Sequence, residues 1–250
     1  MNSSCRAMGL PRVGRRVTAC LLAIVLGAAS MPLAAQTAST VTLPDSTASR
    51  VLACSSCHGK QGEGSKDDYF PRLAGKPAGY LYNQLVAFRD GKRKYAPMNY
   101  LLEYLPDAYL QEMAQYFATQ RTPFPNLPRP NVTPQVLALG ETLALKGDAS
   151  RNIPACTACH GASLTGISPD IPGLLGLHAK YISAQLGASR FGARVTDSPN
   201  CMQKITVRLS DADITAVAAW LSAQPAPLNP APATEGSLPL ALTCEQGHAR

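Results

Sequence analysis

The sequence predicts an all-α protein of two similar domains in tandem, joined by a proline-rich linker. An internal repeat supports this fold class, because Tyr80 and Gln84 recur as Tyr181 and Gln185, both 101 residues later. Apolar side chains also recur every three to four positions in several segments of both halves, which is the spacing of one helix face. Four prolines within residues 122–131 exclude a regular helix there and place the boundary between the halves.

The first 35 residues resemble a secretory signal peptide that precedes both domains. A basic segment is followed by an apolar run over residues 17–29, and small residues lead to Ala35, after which we expect cleavage. The apolar run is too short to span a bilayer comfortably, so a retained N-terminal anchor is the weaker alternative. Without the four leader arginines, 19 basic and 16 acidic residues remain. This small net charge gives little support to nucleic-acid binding.

The first domain is assigned to residues 36–121 and contains three predicted helices. A short helix over residues 46–53 follows a polar N-terminal segment. A second helix is predicted over residues 78–90, where three large apolar side chains share one face. A basic loop at residues 92–94 then leads to a third helix over residues 107–119.

The linker is assigned to residues 122–132, and the second domain, residues 133–225, repeats the first. Thr133 followed by proline is a typical N-cap with proline at the first helical position, and it predicts a helix over residues 134–146. A last helix over residues 211–223 begins with a serine and, three positions later, an aspartate, which resembles a capping box. The second half therefore carries its own set of helices.

A five-residue pattern, C-x-x-C-H, occurs once in each half. Two cysteines at this spacing can form thioethers with the two vinyl groups of one porphyrin, and the adjacent histidine can then ligate the iron. The sequence therefore predicts two covalently attached haem c groups. The alternatives are a zinc half-site or a disulfide at each cysteine pair. The residues concerned are Cys54, Cys57, His58, Cys156, Cys159 and His160.

Residues 226–250 are rich in proline and small residues and are predicted to form a tail without regular structure. Cys201 and Cys244 remain once the leader and the C-x-x-C-H motifs are set aside. Two spare thiols in an oxidising compartment suggest a disulfide, which would tie the tail to the second domain and brace the neighbouring Met202. Two unpaired cysteines are the alternative.

A haem that only carries electrons needs a second axial ligand that closes the iron to substrates. Met98 and Met202 stand 40 and 42 residues after the histidines of their motifs, and both are predicted to lie in loops. A thioether ligand favours ferrous iron and raises the reduction potential. Met113 is the rival in the first half, but it lies on an apolar helix stripe where packing explains it. His178 has no counterpart in the first half and is predicted to be a surface residue.

These features resemble the cytochrome c4 family of dihaem class I cytochromes c. The resemblance covers about residues 46–225 and is carried by the two C-x-x-C-H motifs, the Tyr-x-x-x-Gln-Leu stretches, the matched methionines and the segments around Pro71 and Pro172. It implies two α-helical cytochrome c domains related by a pseudo-twofold axis, with His/Met ligation at both haems and proline carbonyls that orient the imidazoles. One departure is the short opening helix of the first domain, which lacks the counterpart of Gly140 that lets helices cross closely in this family.

The resemblance implies a periplasmic carrier of single electrons rather than an enzyme. Its expected donors are a dehydrogenase or a bc1-type complex, its acceptor is a terminal oxidase or a related protein, and membrane association would be peripheral, through these partners. One alternative is a cytochrome c subunit of a dehydrogenase or oxidase complex. A dihaem peroxidase is a further alternative, which the two matched methionines disfavour because a peroxidase needs an open sixth site.

Two groups of basic residues can each be interpreted in two ways. Arg72 either meets a haem propionate or is solvated. The run Lys92, Arg93 and Lys94 either lies near the first haem edge and steers an acidic partner, or forms an ordinary solvated face.

Overall fold

The computed structural model describes residues 44–194 and 200–240, which all belong to one compact unit. The predicted signal peptide, its cleavage after Ala35, and Cys244 lie outside the described residues. Within them, helices dominate and a single two-stranded sheet is present, so the all-α prediction is confirmed with one small addition. None of the helices described has both the length and the apolar character needed to cross a bilayer.

The first half contains five helices, two of them close to their predicted bounds. The predicted opening helix is instead two short ones that meet at Val51, and the second of these includes the first C-x-x-C-H motif. A fourth helix was not predicted, because its Pro97 was interpreted as part of a loop, although proline is well tolerated in a first helical turn. The five are α1 (Thr47–Arg50), α2 (Leu52–His58), α3 (Ala78–Arg89), α4 (Ala96–Leu102) and α5 (Asp107–Thr119).

The second half contains five further helices, a 3₁₀ turn at Ala149–Arg151 and the sheet. The predicted caps are present: the Thr133 hydroxyl accepts from the Val136 amide, and Ser210 and Asp213 form a capping box. The elements are α6 (Pro134–Leu145), α7 (Thr157–His160), β1 (Gly166–Ile167), β2 (Ile171–Pro172), α8 (Ala179–Arg190), α9 (Cys201–Thr206) and α10 (Asp211–Ser222).

The sheet pairs β1 and β2 antiparallel, with Ile167 opposite Ile171. The described part of the tail, residues 226–240, contains no helix and no named strand. It is nevertheless attached to the sheet, because Ala233 forms backbone hydrogen bonds with Gly166 and Ser168. The tail therefore lies against the second domain.

Each half has a hydrophobic core built mainly between its long helices. In the first half α3 packs on α5, and in the second half α6 and α8 pack on α10. Gly140 on α6 lies so close to α10 that a Cβ at this position would overlap the Ala216 carbonyl and lie 2.7 Å from the Trp220 Cβ. The close crossing of α6 and α10 therefore requires glycine at this position. In the first half the corresponding contact is made by the four-residue α1 against α5.

Candidate functional site

The two C-x-x-C-H motifs form equivalent turns. Helix α2 ends at His58 and helix α7 ends at His160, and each is followed by a glycine with φ of 84°. The four motif cysteines are half-buried and none is disulfide-bonded, so neither pair forms the alternative disulfide. The described part of the chain also holds no cluster of three metal-ligating side chains of the kind a zinc site would need.

The two motif histidines are buried and oriented in the same way. Nδ1 of His58 donates to the Pro71 carbonyl at 2.9 Å, and Nδ1 of His160 donates to the Pro172 carbonyl at 2.8 Å. A carbonyl can only accept, so the ring proton stays on Nδ1 and the lone pair of Nε2 is left for a metal. Desolvation lowers the pKa of both imidazoles, which keeps them neutral as a ligand must be.

The matched methionines lie on helices, so their prediction as loop residues was wrong. Met98 is in α4, half-buried against the first core, and Met202 is in the first turn of α9, also half-buried. Both helices are fixed by an asparagine. The Asn99 amide donates to the Arg93 carbonyl at 2.9 Å, and the Asn200 amide donates to the Arg194 carbonyl at 3.4 Å.

Those two arginines hold the halves of the molecule together by reciprocal contacts. Their backbones form an antiparallel bridge, and each guanidinium reaches into the other half. Arg93 donates to the Tyr181 hydroxyl at 3.0 Å, and Arg194 donates to the Tyr80 hydroxyl at 3.0 Å. Each also donates to the glutamine four positions after that tyrosine. Equivalent residues paired in both directions are what a pseudo-twofold relation produces. Arg93 is therefore an interface residue, not part of a solvated face.

Two further cations are buried between the halves. Arg72 is 4% exposed, so its solvated alternative was wrong: its guanidinium donates to the Thr122 and Pro123 carbonyls and lies over the Phe124 ring. Lys76 is 8% exposed, and its Nζ donates to the Gly173 carbonyl at 2.8 Å. Burial lowers the pKa of Lys76 to about 8.

The polar groups at this interface fit an anionic cofactor. Desolvation would raise the pKa of Tyr80, but Arg194, Arg93 and Lys76 outweigh it and lower that pKa to about 8. The Nε atoms of Arg72 and Arg194 are buried and lack a hydrogen-bond partner among the described residues. Buried positive charge with unused donors is suited to the carboxylates of haem propionates.

His178 is buried, so its prediction as a surface residue was wrong. Its Nε2 donates to the Ser65 carbonyl at 3.0 Å, and its Nδ1 lies 3.1 Å from the Asp68 carboxylate. Both partners belong to the loop that follows the first C-x-x-C-H motif, and Lys180 also pairs with Asp68 at 2.7 Å. His178 therefore fastens the start of α8 to the first half.

Comparison with known proteins decides the family. The model of the cytochrome c family matches residues 47–123 and again residues 138–224. This chain belongs to the cytochrome c family. Within it, the chain is 37% identical to cytochrome c4 of Pseudomonas aeruginosa over 174 residues, covering 69% of this chain and 84% of that protein. It is a dihaem cytochrome of the cytochrome c4 type, with covalently bound haem c in both domains.

Other relatives carry a more specific name. A thiosulfate dehydrogenase electron acceptor from Thiomonas intermedia is 40% identical over 173 residues, covering 69% of this chain and 79% of that protein. Among solved structures, reduced recombinant cytochrome c4 from Pseudomonas stutzeri matches with a TM-score of 0.61 at 30% identity, covering 70% and 95% of the two chains. A thiosulfate dehydrogenase from Marichromatium purpuratum matches with a TM-score of 0.63 at 31% identity, covering 69% of this cytochrome but 36% of that chain.

Sequence analysis missed the arginines that join the two domains of this cytochrome and the asparagines that hold the methionine helices. Arg93 and Arg194 are one repeat apart, as are Asn99 and Asn200, at the same offset as the tyrosines. Extending the repeat comparison through these positions would have found both pairs. Lys76 has no such signal, because Leu177 stands at the equivalent position.

Proposed function

We propose that this cytochrome carries single electrons in the periplasm, from a respiratory donor to a terminal oxidase or another acceptor. His58 and Met98 would ligate the first haem iron, and His160 and Met202 the second. The observation that carries the proposal is the repetition of one arrangement: a buried histidine that donates to a proline carbonyl, and a half-buried methionine on a short helix held by an asparagine. The predicted disulfide between Cys201 and Cys244 stays part of this proposal.

The protein residues orient, bury and charge-balance the site. A bound haem supplies reversible one-electron chemistry. The hydrogen bonds from His58 and His160 to proline carbonyls fix the imidazole planes and leave Nε2 free to bind. The thioethers of Met98 and Met202 would close the sixth position, so that no substrate reaches iron. A closed site is what separates a carrier from a peroxidase.

A second, narrower function is favoured by the names of two relatives. Because a thiosulfate dehydrogenase electron acceptor is 40% identical, we propose an enzyme of that kind as a candidate donor. In that case this cytochrome would be the redox partner of the dehydrogenase, either free or as its subunit. The oxidation of thiosulfate would take place on the partner.

The test begins with the purified protein containing both haems. We expect two haems per chain, a far-red methionine–iron band in the oxidised spectrum and no carbon monoxide binding after reduction. The oxidised protein is then mixed with a thiosulfate dehydrogenase and thiosulfate, and haem reduction is followed in the visible range. Rapid reduction only with both present supports the narrower function, whereas slow reduction together with fast oxidation by a terminal oxidase supports the general carrier. Rapid carbon monoxide binding would contradict both.

A further inference from the structure

The two repeats do not contribute the same number of buried cations to the contact between the domains. The first repeat contributes Arg72 and Lys76, both buried. At the equivalent positions, 101 residues later, the second repeat has Gly173 and Leu177. Within the described residues, neither Arg72 nor Lys76 forms an ion pair with a carboxylate, although the more distant Glu63 carboxylate partly offsets the charge of Arg72. The inequality gives the two haem sites different electrostatic surroundings.

Lys76 crosses the interface and reaches the proximal side of the second site. Its Nζ donates to the Gly173 carbonyl at 2.8 Å. The preceding residue is Pro172, whose carbonyl accepts the Nδ1 proton of His160 at 2.8 Å. The ammonium group is therefore held one peptide unit from the hydrogen bond that orients the imidazole.

The first site has no matching lysine. Its equivalent hydrogen bond joins His58 to Pro71, and the next residue, Arg72, turns its guanidinium away to the carbonyls of Thr122 and Pro123.

A fixed positive charge beside a haem favours the reduced state, because ferrous iron carries one positive charge fewer than ferric iron. Burial weakens the screening of such a charge by water and salt. A propionate near Lys76 would not reverse this effect, since removing the lysine would leave the propionate charge uncompensated. Lys76 therefore raises the reduction potential of the second haem whether or not a propionate lies beside its ammonium group.

We propose that Lys76, supplied by the first domain, is a positioning residue that raises the reduction potential of the haem in the second domain. This inference rests on the proposed function, which assigns His160 as a ligand of that haem. It makes the second potential depend on the contact between the domains. A merely structural lysine would stabilise the interface without changing either potential.

The test compares three substitutions of Lys76 in the protein with both haems. Lys76→Gln removes the charge but keeps an amide donor for the Gly173 carbonyl, Lys76→Met removes both, and Lys76→Arg keeps the charge. Lys180→Gln, an exposed lysine of the same domain interface, is the matched control. Stepwise reduction followed by paramagnetic NMR resolves the potentials of the two haems separately.

We expect both neutral variants to stabilise the oxidised form of the second haem. The equilibrium constant for the distribution of one electron between the two haems should shift toward the first haem on the order of tenfold. For one electron, tenfold corresponds to about 59 mV. Lys76→Arg and Lys180→Gln should leave that equilibrium within about twofold of the unmodified protein. Should Lys76→Met fail to fold, Lys76→Gln still gives the answer.

Two results would overturn the inference while the carrier function stands: an unchanged second potential in Lys76→Gln, or an equal change in Lys76→Gln and Lys76→Arg. The first excludes an effect of charge, and the second attributes the change to altered packing. The proposed function fails in a different way, through haem content below two per chain or an open iron in the unmodified protein.

Discussion

At the scale of single residues, Met98 and Met113 show how surroundings separate a proposed ligand from a packing residue. Met113 is 3% exposed in the first core, on the stripe of α5 that faces α3. Met98 is half-buried at the edge of that core, on a helix held by Asn99. Only Met98 combines partial exposure with a counterpart in the second repeat, which is why it is the proposed ligand.

Replacing Met98 by alanine should therefore open the first haem while the second stays closed. We expect about half of the far-red band to disappear, carbon monoxide to bind one haem per chain after reduction, and the potential of the first haem to fall because the thioether is lost. Absorption spectroscopy and a carbon monoxide titration measure these changes. Met113→Leu, a substitution of similar volume, should change neither quantity. A full far-red band in Met98→Ala would show that Met98 is not the ligand and that another methionine binds the first iron.

At the scale of helices, sequence patterns predicted four of the five long helices well and the short ones poorly, and no range was predicted for the remaining long helix, α8. The helices predicted over residues 78–90, 107–119 and 211–223 end within one residue of those observed, because each has an apolar face or a recognisable cap. Helices α4 and α9 have seven and six residues, too few to display a period. They are held by asparagine side chains and by contacts with the cores, which local sequence does not encode.

The crossing of α6 and α10 is sensitive to the addition of a single atom at Gly140. Gly140→Ala would place a methyl group against the Ala216 carbonyl, so the two helices must move apart. We expect a loss of about 1–3 kcal/mol in the free energy of unfolding, the usual range for overpacking. Gly187→Ala on α8 is the control, because a Cβ there meets no atom within 4 Å. Its higher helix propensity should stabilise the protein by up to about 1 kcal/mol.

Denaturant unfolding of the protein with both haems, followed by circular dichroism, measures both changes. If Gly140→Ala and the unmodified protein have the same free energy of unfolding, α10 can move away from α6 without loss of stability. The close crossing would then not explain the glycine. The first half offers a natural comparison, because its opening helix α1 has four residues and no glycine at the contact with α5.

At the scale of the whole molecule, the two domains are joined by polar contacts that no local pattern predicts. The partners of His178 lie in the loop at residues 65–68, more than 100 positions earlier in the chain. Lys76 and Gly173 are separated by 97 positions. The repeat predicted two domains and their internal helices, but a repeat describes what the halves share. Lys76 and His178 have no counterpart in the other repeat, so their contacts emerged only from the structure.

His178→Leu tests how much the buried contact contributes to joining the domains. The substitution introduces an apolar side chain of similar size, leaves the Ser65 carbonyl without its donor and removes one partner of Asp68. A buried acceptor that loses its partner costs about 1–3 kcal/mol, so we expect a decrease of that size in the free energy of unfolding.

Lys180→Gln is the control, because it removes the exposed partner of the same carboxylate, and an exposed ion pair contributes less than about 1 kcal/mol. Hydrogen exchange of the amides in residues 65–70 should rise in His178→Leu and change little in Lys180→Gln. If the two variants lose equal stability, the carboxylate of Asp68 rather than the buried imidazole holds the loop, and the domains are joined there by surface charge.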